Sequence, residues 1–485
     1  MRRVSLLIFL AVSSVYFATV SGITSSNDGS HYALLRALVD EGRFEIPTYA
    51  QYAEGNDLAR VGDQVYSDRP PGTALLAAPL YIVGRALPPV GRALPSRHDA
   101  GNPALVYVML LPVLAGAAAV VIFNALLVRW GVRPAVALLT SLTLAFGTIH
   151  WKYSSVLFSH APSALLVLLA VWIALRAGWL GGLRTGTAFG LGFALGLSVL
   201  VEYSNLVFAV LVVLFVCAPA RMRPVRTWRR AGMALAAGAL LPAAFLAYYN
   251  TVNFGAPWTT SYAYAVNYPW AASLATTFDF PLLAGLKSML FFSADERLMG
   301  YENQGLFLLS PVALLAAWGV IYLWRQPARR REALLVLGAA GLYLLLFSKH
   351  HTLHGFTGDG RYFAPFLPLA LLPLGLWAER HLLSDNGADM RELVFQLLFF
   401  GLAFLSVRNI AVHIGFSYNY TLDLSQFELF SASPGNWARL LGALFPNWRN
   451  LPLLWGLETA GAAGAWSGLQ LQRRRDNLAR RGLGD

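Results

Sequence analysis

Twelve apolar segments alternate with polar loops along this chain, and nearly every cluster of arginines falls in every second loop. A helix needs about 20 apolar residues to cross a hydrocarbon core, because every backbone N–H and C=O must be satisfied within the segment. The segments are Ser5–Thr19, Leu105–Val128, Ala135–Phe146, Ala161–Leu175, Phe189–Val201, Leu206–Val216, Met233–Tyr248, Leu306–Leu323, Ala333–Phe347, Phe363–Trp377, Leu393–Ile414 and Leu451–Leu469. Hydrophobic residues make up 56% of the 485 and charged residues only 13%, with a mean hydropathy of +0.52, which excludes an ordinary soluble domain. The expectation is an all-α polytopic membrane protein of about 12 transmembrane helices, forming one domain over 1–485.

A net charge of +12 would fit a nucleic-acid binder, but the distribution argues against it. The basic residues form short juxtamembrane groups: Arg2/Arg3, Arg129/Arg133, Arg184, the run from Arg221 to Arg230, Arg325 to Arg331, Arg380/Arg391 and Arg473 to Arg481. This positive-inside pattern places both termini in the cytoplasm and requires an even number of spans. Met1–Gly22 also has the form of a secretory signal peptide; the reading favoured is a retained first helix. The single cysteine, Cys217, excludes an intramolecular disulfide and is expected to be a buried apolar residue within a span.

Three outer loops are long, Ile23–Pro103, Asn250–Gly305 and Gly415–Asn450, whereas the inner loops are short and basic. The first reads as two amphipathic helices lying in the interface around a polar hairpin. One follows Ser25 with an apolar face of Tyr32, Leu35, Leu38 and Val39 and stops at Gly42; the other, Thr73–Leu87, opens after Pro70-Pro71-Gly72. Transporters concentrate ionisable groups near mid-membrane. Here the polar chemistry sits at the outer boundary, which suits an enzyme working where membrane meets water. Within it, Asp28 has two readings: a helix N-cap, or a general base at the membrane surface.

The stretch Asn27-Asp28-Gly29-Ser30-His31-Tyr32, followed by Ser67-Asp68-Arg69-Pro70-Pro71-Gly72, resembles the first outer loop of polyprenyl-phosphate-dependent GT-C glycosyltransferases. That superfamily includes protein O-mannosyltransferase-like enzymes and lipid A aminoarabinose transferases. Further matches follow in order: Tyr153 to Ser163 with His160 at a helix junction, Tyr249 to Pro257 at a helix exit, Gly305 to Pro311, and Gly360-Arg361-Tyr362 running to Pro368. The resemblance implies a GT-C fold and inverting transfer of a sugar from a polyprenyl phosphate to an acceptor hydroxyl on the extracytoplasmic side; the Ala/Leu/Gly/Arg-rich composition suggests a bacterial inner membrane. The resemblance also implies Asp28 as catalytic base and Arg69 and Arg361 around the donor phosphate; Lys349, beside the outer histidines, is a further candidate there. Tyr32, His160, His354, Glu202 and Tyr262 are candidates for holding donor or acceptor, the last two from their position near the outer boundary. The chemistry agrees with one acid, because a phosphate leaving group needs no protonation, unlike glycoside hydrolysis with its acid–base pair. Three positions depart from the family pattern: Gly29 stands where many relatives carry a second acid, Arg69 replaces the usual Lys, and His160 replaces a further acid.

No cofactor is fixed by the sequence. A divalent metal is open through His160, His351 and His354, the last two spaced for a helix but followed by loop-forming glycines. Trp258, Tyr262, Tyr264, Tyr268 and Trp270 read as an interfacial aromatic belt or as sugar-stacking groups. Arg408 and Glu458 lie inside adjacent predicted spans and are expected to pair, since an unpaired charge there costs about 2.5 kcal/mol or more. The alternative function is a twelve-span transporter or lipid-linked sugar flippase. The expected partners are a polyprenyl-phosphate sugar, an acceptor lipid, protein or polysaccharide, and membrane lipids, with no nucleic acid; sugar and acceptor stay open.

Overall fold

In the computed structural model every predicted apolar segment carries helix. The structure describes residues 2–87, 93–96, 99–179, 182–217, 225–294, 302–353, 358–382, 390–416 and 441–461. The protein is an all-α polytopic membrane protein. Five helices are by themselves long and apolar enough to cross a membrane: Pro103–Arg129, His160–Ala177, Trp228–Phe254, Pro327–Ser348 and Met390–Gly415. Shorter apolar helices pack among them, and strand among the described residues is confined to three two-stranded hairpins.

Without water between helices, close approach of backbones does much of the work of association, and small residues permit it. The helices Thr185–Val201 and Val225–Phe254 pack in this way. A Cβ at Gly192 would overlap the Leu235 carbonyl, and one at Gly238 would overlap the Phe189 carbonyl. Gly186, near the start of the same helix, faces open space. The outward faces of Val225–Phe254 and Met390–Phe416 carry exposed large apolar residues, among them Leu240, Leu241, Leu397 and Phe404, as expected of surfaces that meet lipid.

The loops sort to two ends of the bundle. At one end, Trp130 Nε1 donates to Glu332 Oε2 at 2.7 Å and Arg133 Nε donates to Glu379 Oε1 at 2.6 Å. Arg331 Nη2 donates there to the Phe215 carbonyl at 3.2 Å, so three of the arginine-bearing connections meet. Cys217, expected to be buried, is exposed as the last residue of Asn205–Cys217. The helix over 451–461 is bonded to the first helix. Ser13 Oγ donates to Glu458 Oε1 at 2.6 Å and Trp455 Nε1 to Ser14 Oγ at 2.9 Å. Glu458 therefore finds a hydroxyl on the first helix, and the expected Arg408–Glu458 pair does not form.

At the other end lies the first long loop. It contains the helix Ser26–Arg36, extended by a turn over Ala37–Glu41 that stops at left-handed Gly42, then the hairpin Leu58–Val61/Gln64–Ser67 and the helix Gly72–Ala86. The two helices and the hairpin are where the sequence places them. The interfacial position expected of the first is not observed: Asn27 through Leu35 are buried without interruption, because the hairpin and the short turn Ala50–Ala53 cover its polar side. The second helix keeps Ile82 and Val83 exposed, as an interfacial helix would.

We expect Gly192→Leu to lower the thermal midpoint in detergent by more than 5 °C or to prevent folding, since overpacking costs about 1–3 kcal/mol even where side chains can yield. Gly186→Leu should shift it by less than about 2 °C, because surface changes stay within about 0.5 kcal/mol. Equal effects would place the interface elsewhere.

Candidate active site

Six elements converge on one cavity of about 810 Å³. The start of the first-loop helix contributes Asn27, and the hairpin exit contributes Asp68 and Arg69. The start of His160–Trp179 adds Ser159 and His160; the link between Thr185–Val201 and Asn205–Cys217 adds Glu202. The second long loop forms an aromatic wall with Trp258, Tyr262, Tyr268 and Trp270, and the segment after Arg330–Ser348 brings His350 and Arg361. Below the polar groups the lining turns apolar at Leu206, Val207, Leu346 and Phe347.

The two arginines differ in freedom. Arg69 is held by Asp57, and its Nε lies 3.0 Å from Asp68 Oδ1. Asp57 in turn accepts from Ser26, and Ser30 Oγ donates to the Asp57 carbonyl at 2.6 Å, so the first-loop helix fixes this arginine. Arg361 follows left-handed Gly360, lies between the Phe158 and Tyr362 rings at 5.7 and 5.2 Å, and makes no salt bridge among the described residues. Its guanidinium is the cation open to an incoming anion.

Two carboxylates line the cavity. Glu202 Oε2 accepts from Ser159 Oγ at 2.9 Å. Asp68 is fully buried and neither oxygen has an aligned hydrogen-bond donor, so burial raises its carboxyl from the ordinary 3.8 to about 8 despite Arg361 nearby. Burial also raises Glu202. Buried His31, beside Arg69, is pushed down to about 3, by burial first and by that arginine second. It is neutral at physiological pH.

Asp28 is elsewhere. It is the third residue of its helix in a capping box: Ser25 N and Oγ donate to Oδ1 at 2.7 and 2.8 Å, and Thr24 N donates to Oδ2 at 2.9 Å. Burial still raises it to about 6, against those bonds. Its oxygens serve the helix start, and its neighbour Asn27, not Asp28, reaches the cavity. Tyr32 likewise serves packing: its hydroxyl accepts from Asn102 Nδ2 at 2.9 Å and its ring meets Tyr52 and Tyr81 edge-on. Lys349 is exposed at the end of Arg330–Ser348 and is not among the lining residues. Thus Arg69, Arg361, His160, Glu202 and Tyr262 are brought together, while Asp28, Tyr32 and Lys349 are not.

Among the described residues, His160 and His351 do not share a metal site. His351 Nδ1 lies 2.9 Å from Asp279 Oδ1 with its ring stacked on Trp270, and His160 sits across the cavity with Nε2 unpartnered. His354 lies outside the described residues. Among the described residues no three His, Cys, Asp or Glu side chains are placed to share an ion. The aromatic expectation divides: Trp258, Tyr262, Tyr268 and Trp270 face the cavity, whereas Tyr264 stacks on Phe254.

Behind the cavity stands a buried polar cluster that sequence reading missed. Lys152 Nζ lies 2.7 Å from Asp359 Oδ2, His413 Nε2 lies 3.0 Å from the same oxygen, and Tyr153 Oη donates to both Asp359 oxygens at 3.0 and 2.8 Å. Burial works against the Asp359 charge, but Lys152 and His413 hold its carboxyl well below the ordinary range. The signal in the sequence was a lysine and an aspartate in boundary segments that have no other use for charge.

No family model matches the chain, and no curated protein matches it in sequence. Among solved structures it superposes on ArnT from Cupriavidus metallidurans bound to undecaprenyl phosphate, with a TM-score of 0.51 at 14% identity, over 95% of this chain and 77% of that one. The apo oligosaccharyltransferase of Archaeoglobus fulgidus gives 0.49 at 13% identity, over 90% of this chain; the chain covers only 59% of that larger protein. The chain has the GT-C fold. The cavity lies at the end of the bundle formed by the first and second long loops, opposite the arginine-bearing connections.

A carboxyl raised by folding favours the native state at low pH. That contribution is complete below the unfolded value near 3.8 and is lost as pH rises to about 8. We expect the thermal midpoint in detergent to fall between pH 5 and 8, and Asp68→Asn to flatten the decline. An unchanged slope in that variant would assign the titration to another group.

Proposed function

We propose that this protein is an inverting glycosyltransferase that moves a sugar from a polyprenyl-phosphate donor to an acceptor hydroxyl at the extracytoplasmic face of the membrane. The observation that carries this reading is the pairing, in one cavity, of a free guanidinium with two carboxylates above an apolar wall. The wall continues along the exposed face of Asn205–Cys217, through Leu206, Val207, Val210 and Leu214. A prenyl chain can lie against those residues while its phosphate meets Arg361; a water-soluble nucleotide sugar would leave them unused. The neighbour ArnT was solved with undecaprenyl phosphate, which supports a donor of that class. The segregation of arginines to the opposite end supports an extracytoplasmic cavity.

In the reaction the acceptor oxygen attacks the anomeric carbon as its proton passes to a carboxylate. The bond from that carbon to the phosphate oxygen breaks, and its electron pair stays on the phosphate. Glu202 is the base this geometry favours, because it lines the cavity and its Ser159 bond leaves lone pairs free. Asp68, protonated near neutrality, can donate a hydrogen bond to substrate instead. Arg361, with Arg69 behind it, offsets charge gathering on the departing phosphate through short charge-assisted hydrogen bonds. The aromatic wall of Tyr262, Tyr268 and Trp270 gives the sugar a face to stack on.

The test is transfer from a panel of polyprenyl-phosphate sugars by purified protein in nanodiscs. Glu202→Gln should lower kcat by about 10²–10⁴, the usual worth of a general base. Arg361→Ala should lower it by about 10²–10³. Asp28→Asn should lose about 1 kcal/mol of stability as a weakened cap, with turnover per folded molecule within about tenfold of wild type. The reverse pattern, full turnover in Glu202→Gln and none in folded Asp28→Asn, would return the base role to Asp28.

A further inference from the structure

The segment that delivers Arg361 is bent by two left-handed glycines, Gly358 at φ +64° and Gly360 at φ +69°, with Asp359 between them. Asp359 points inward and Arg361 lines the cavity. An arginine two residues from a buried aspartate has every electrostatic reason to pair with it, and a paired guanidinium would have to be released before it could take an external anion. That pairing is absent. Asp359 is instead occupied by Lys152, Tyr153 and His413, drawn from the short helix His150–Tyr153 and from Met390–Phe416. Lys152 is fully buried, and the cavity is not lined by it. A second buried cation this close to Arg361 is unfavourable on its own account, so its placement calls for a compensating role.

We propose that Lys152 is a positioning residue that, by engaging Asp359, keeps the Arg361 guanidinium unpaired and available for a phosphate oxyanion in the cavity. The inference rests on the proposed function insofar as the anion is a phosphate, and it adds how that phosphate's site is kept open. Tyr153 extends the arrangement to the other wall. Its hydroxyl binds Asp359 while its ring packs edge-on against His160, with centroids 4.7 Å apart, so one carboxylate sets both sides of the cavity. The ion pair is thus a means of diverting an acid, and its removal should have consequences of a particular sign.

Purified protein in nanodiscs is titrated with undecaprenyl phosphate and, separately, with inorganic phosphate, followed by tryptophan fluorescence and by thermal midpoint. Lys152→Met frees Asp359 for Arg361 and should weaken binding of undecaprenyl phosphate at least tenfold. Adding Asp359→Asn removes the competing acid while keeping an oxygen for Tyr153, and should return at least half of the lost affinity on a logarithmic scale. A merely structural pair predicts the opposite, a double variant no better than the single one. Should Lys152→Met fail to fold, the neutral double variant decides alone: folded protein binding within about threefold of wild type supports the inference, and folded protein that has lost binding overturns it. Both replacements must be without effect on affinity when Arg361 is already Ala; an equal effect there would also overturn it. Changes confined to undecaprenyl phosphate assign the site to a lipid headgroup, and parallel changes with inorganic phosphate assign it to the bare anion. Wild-type protein that binds neither anion overturns this inference, whereas binding without sugar transfer from any donor overturns the glycosyltransferase reading and leaves this one standing.

Discussion

Placing an ion inside a low-dielectric bundle costs several kcal/mol unless a partner or water takes up its field, and that cost organises the site end of this protein. Arg69 is satisfied by Asp57, Lys152 by Asp359, and His31 and His413 lie fully buried among these groups. Arg361 stands apart, buried among aromatic faces with no carboxylate of the described residues on it. Everything around it is consistent with a site built to receive negative charge: the neighbouring acid is engaged elsewhere, a second arginine lies behind, and Asp68 is held protonated near neutrality. An acid that is neutral until about pH 8 does not repel a phosphate, and it can offer it a proton to share.

The same arrangement bears on the choice between an enzyme and a transporter. A carrier must expose its binding groups to each side in turn, and the usual architecture is two related halves rocking about a central site. Among the described residues, the first long loop, with its buried helix, hairpin and interfacial helix, has no counterpart in the second half of the chain. It is also stitched to the second long loop. Val266 N donates to the Leu58 carbonyl at 2.9 Å and Ser261 Oγ to the Asp68 carbonyl at 2.7 Å, so the aromatic wall is fixed to the hairpin that carries Arg69. Rocking would have to break those links beside the cavity.

Much of this was legible in the sequence, for a physical reason. The hydrophobic period and the arginine asymmetry are averages over many residues, so every apolar segment and the two long-loop helices fell close to their observed places. The grouping of Arg69, His160, Glu202 and Tyr262 was also readable, since each sits at a helix end on the polar boundary. Individual side-chain directions were not. Whether Asp28 faces the cavity or turns back onto Ser25 depends on a half-turn of helix, and the serine and threonine just before it supplied enough donors to capture it. Glu458 was assigned to Arg408 because consecutive spans usually touch; the helix over 451–461 also meets the first helix, and there Ser13 takes the carboxylate. Lys152 and Asp359 stood 207 positions apart, and nothing short of the fold joins them.

One consequence concerns how few groups the chemistry requires. Hydrolysis of a glycoside must protonate an alkoxide, which is why two carboxyls flank the bond. A phosphate ester of a sugar already carries a good leaving group, so the demand shifts from proton donation to holding charge. The cavity matches that demand: guanidinium groups are positioned and preorganised, whereas of its two acids only Glu202 is placed to act freely as a base. A protonated Asp68 would then add a donor, not a second base, and its titration near pH 8 would switch that donor off as the solution becomes alkaline. Activity that falls on the alkaline side in wild type but not in Asp68→Asn would therefore separate the charge-holding role proposed for this carboxyl from the proton-accepting role proposed for Glu202.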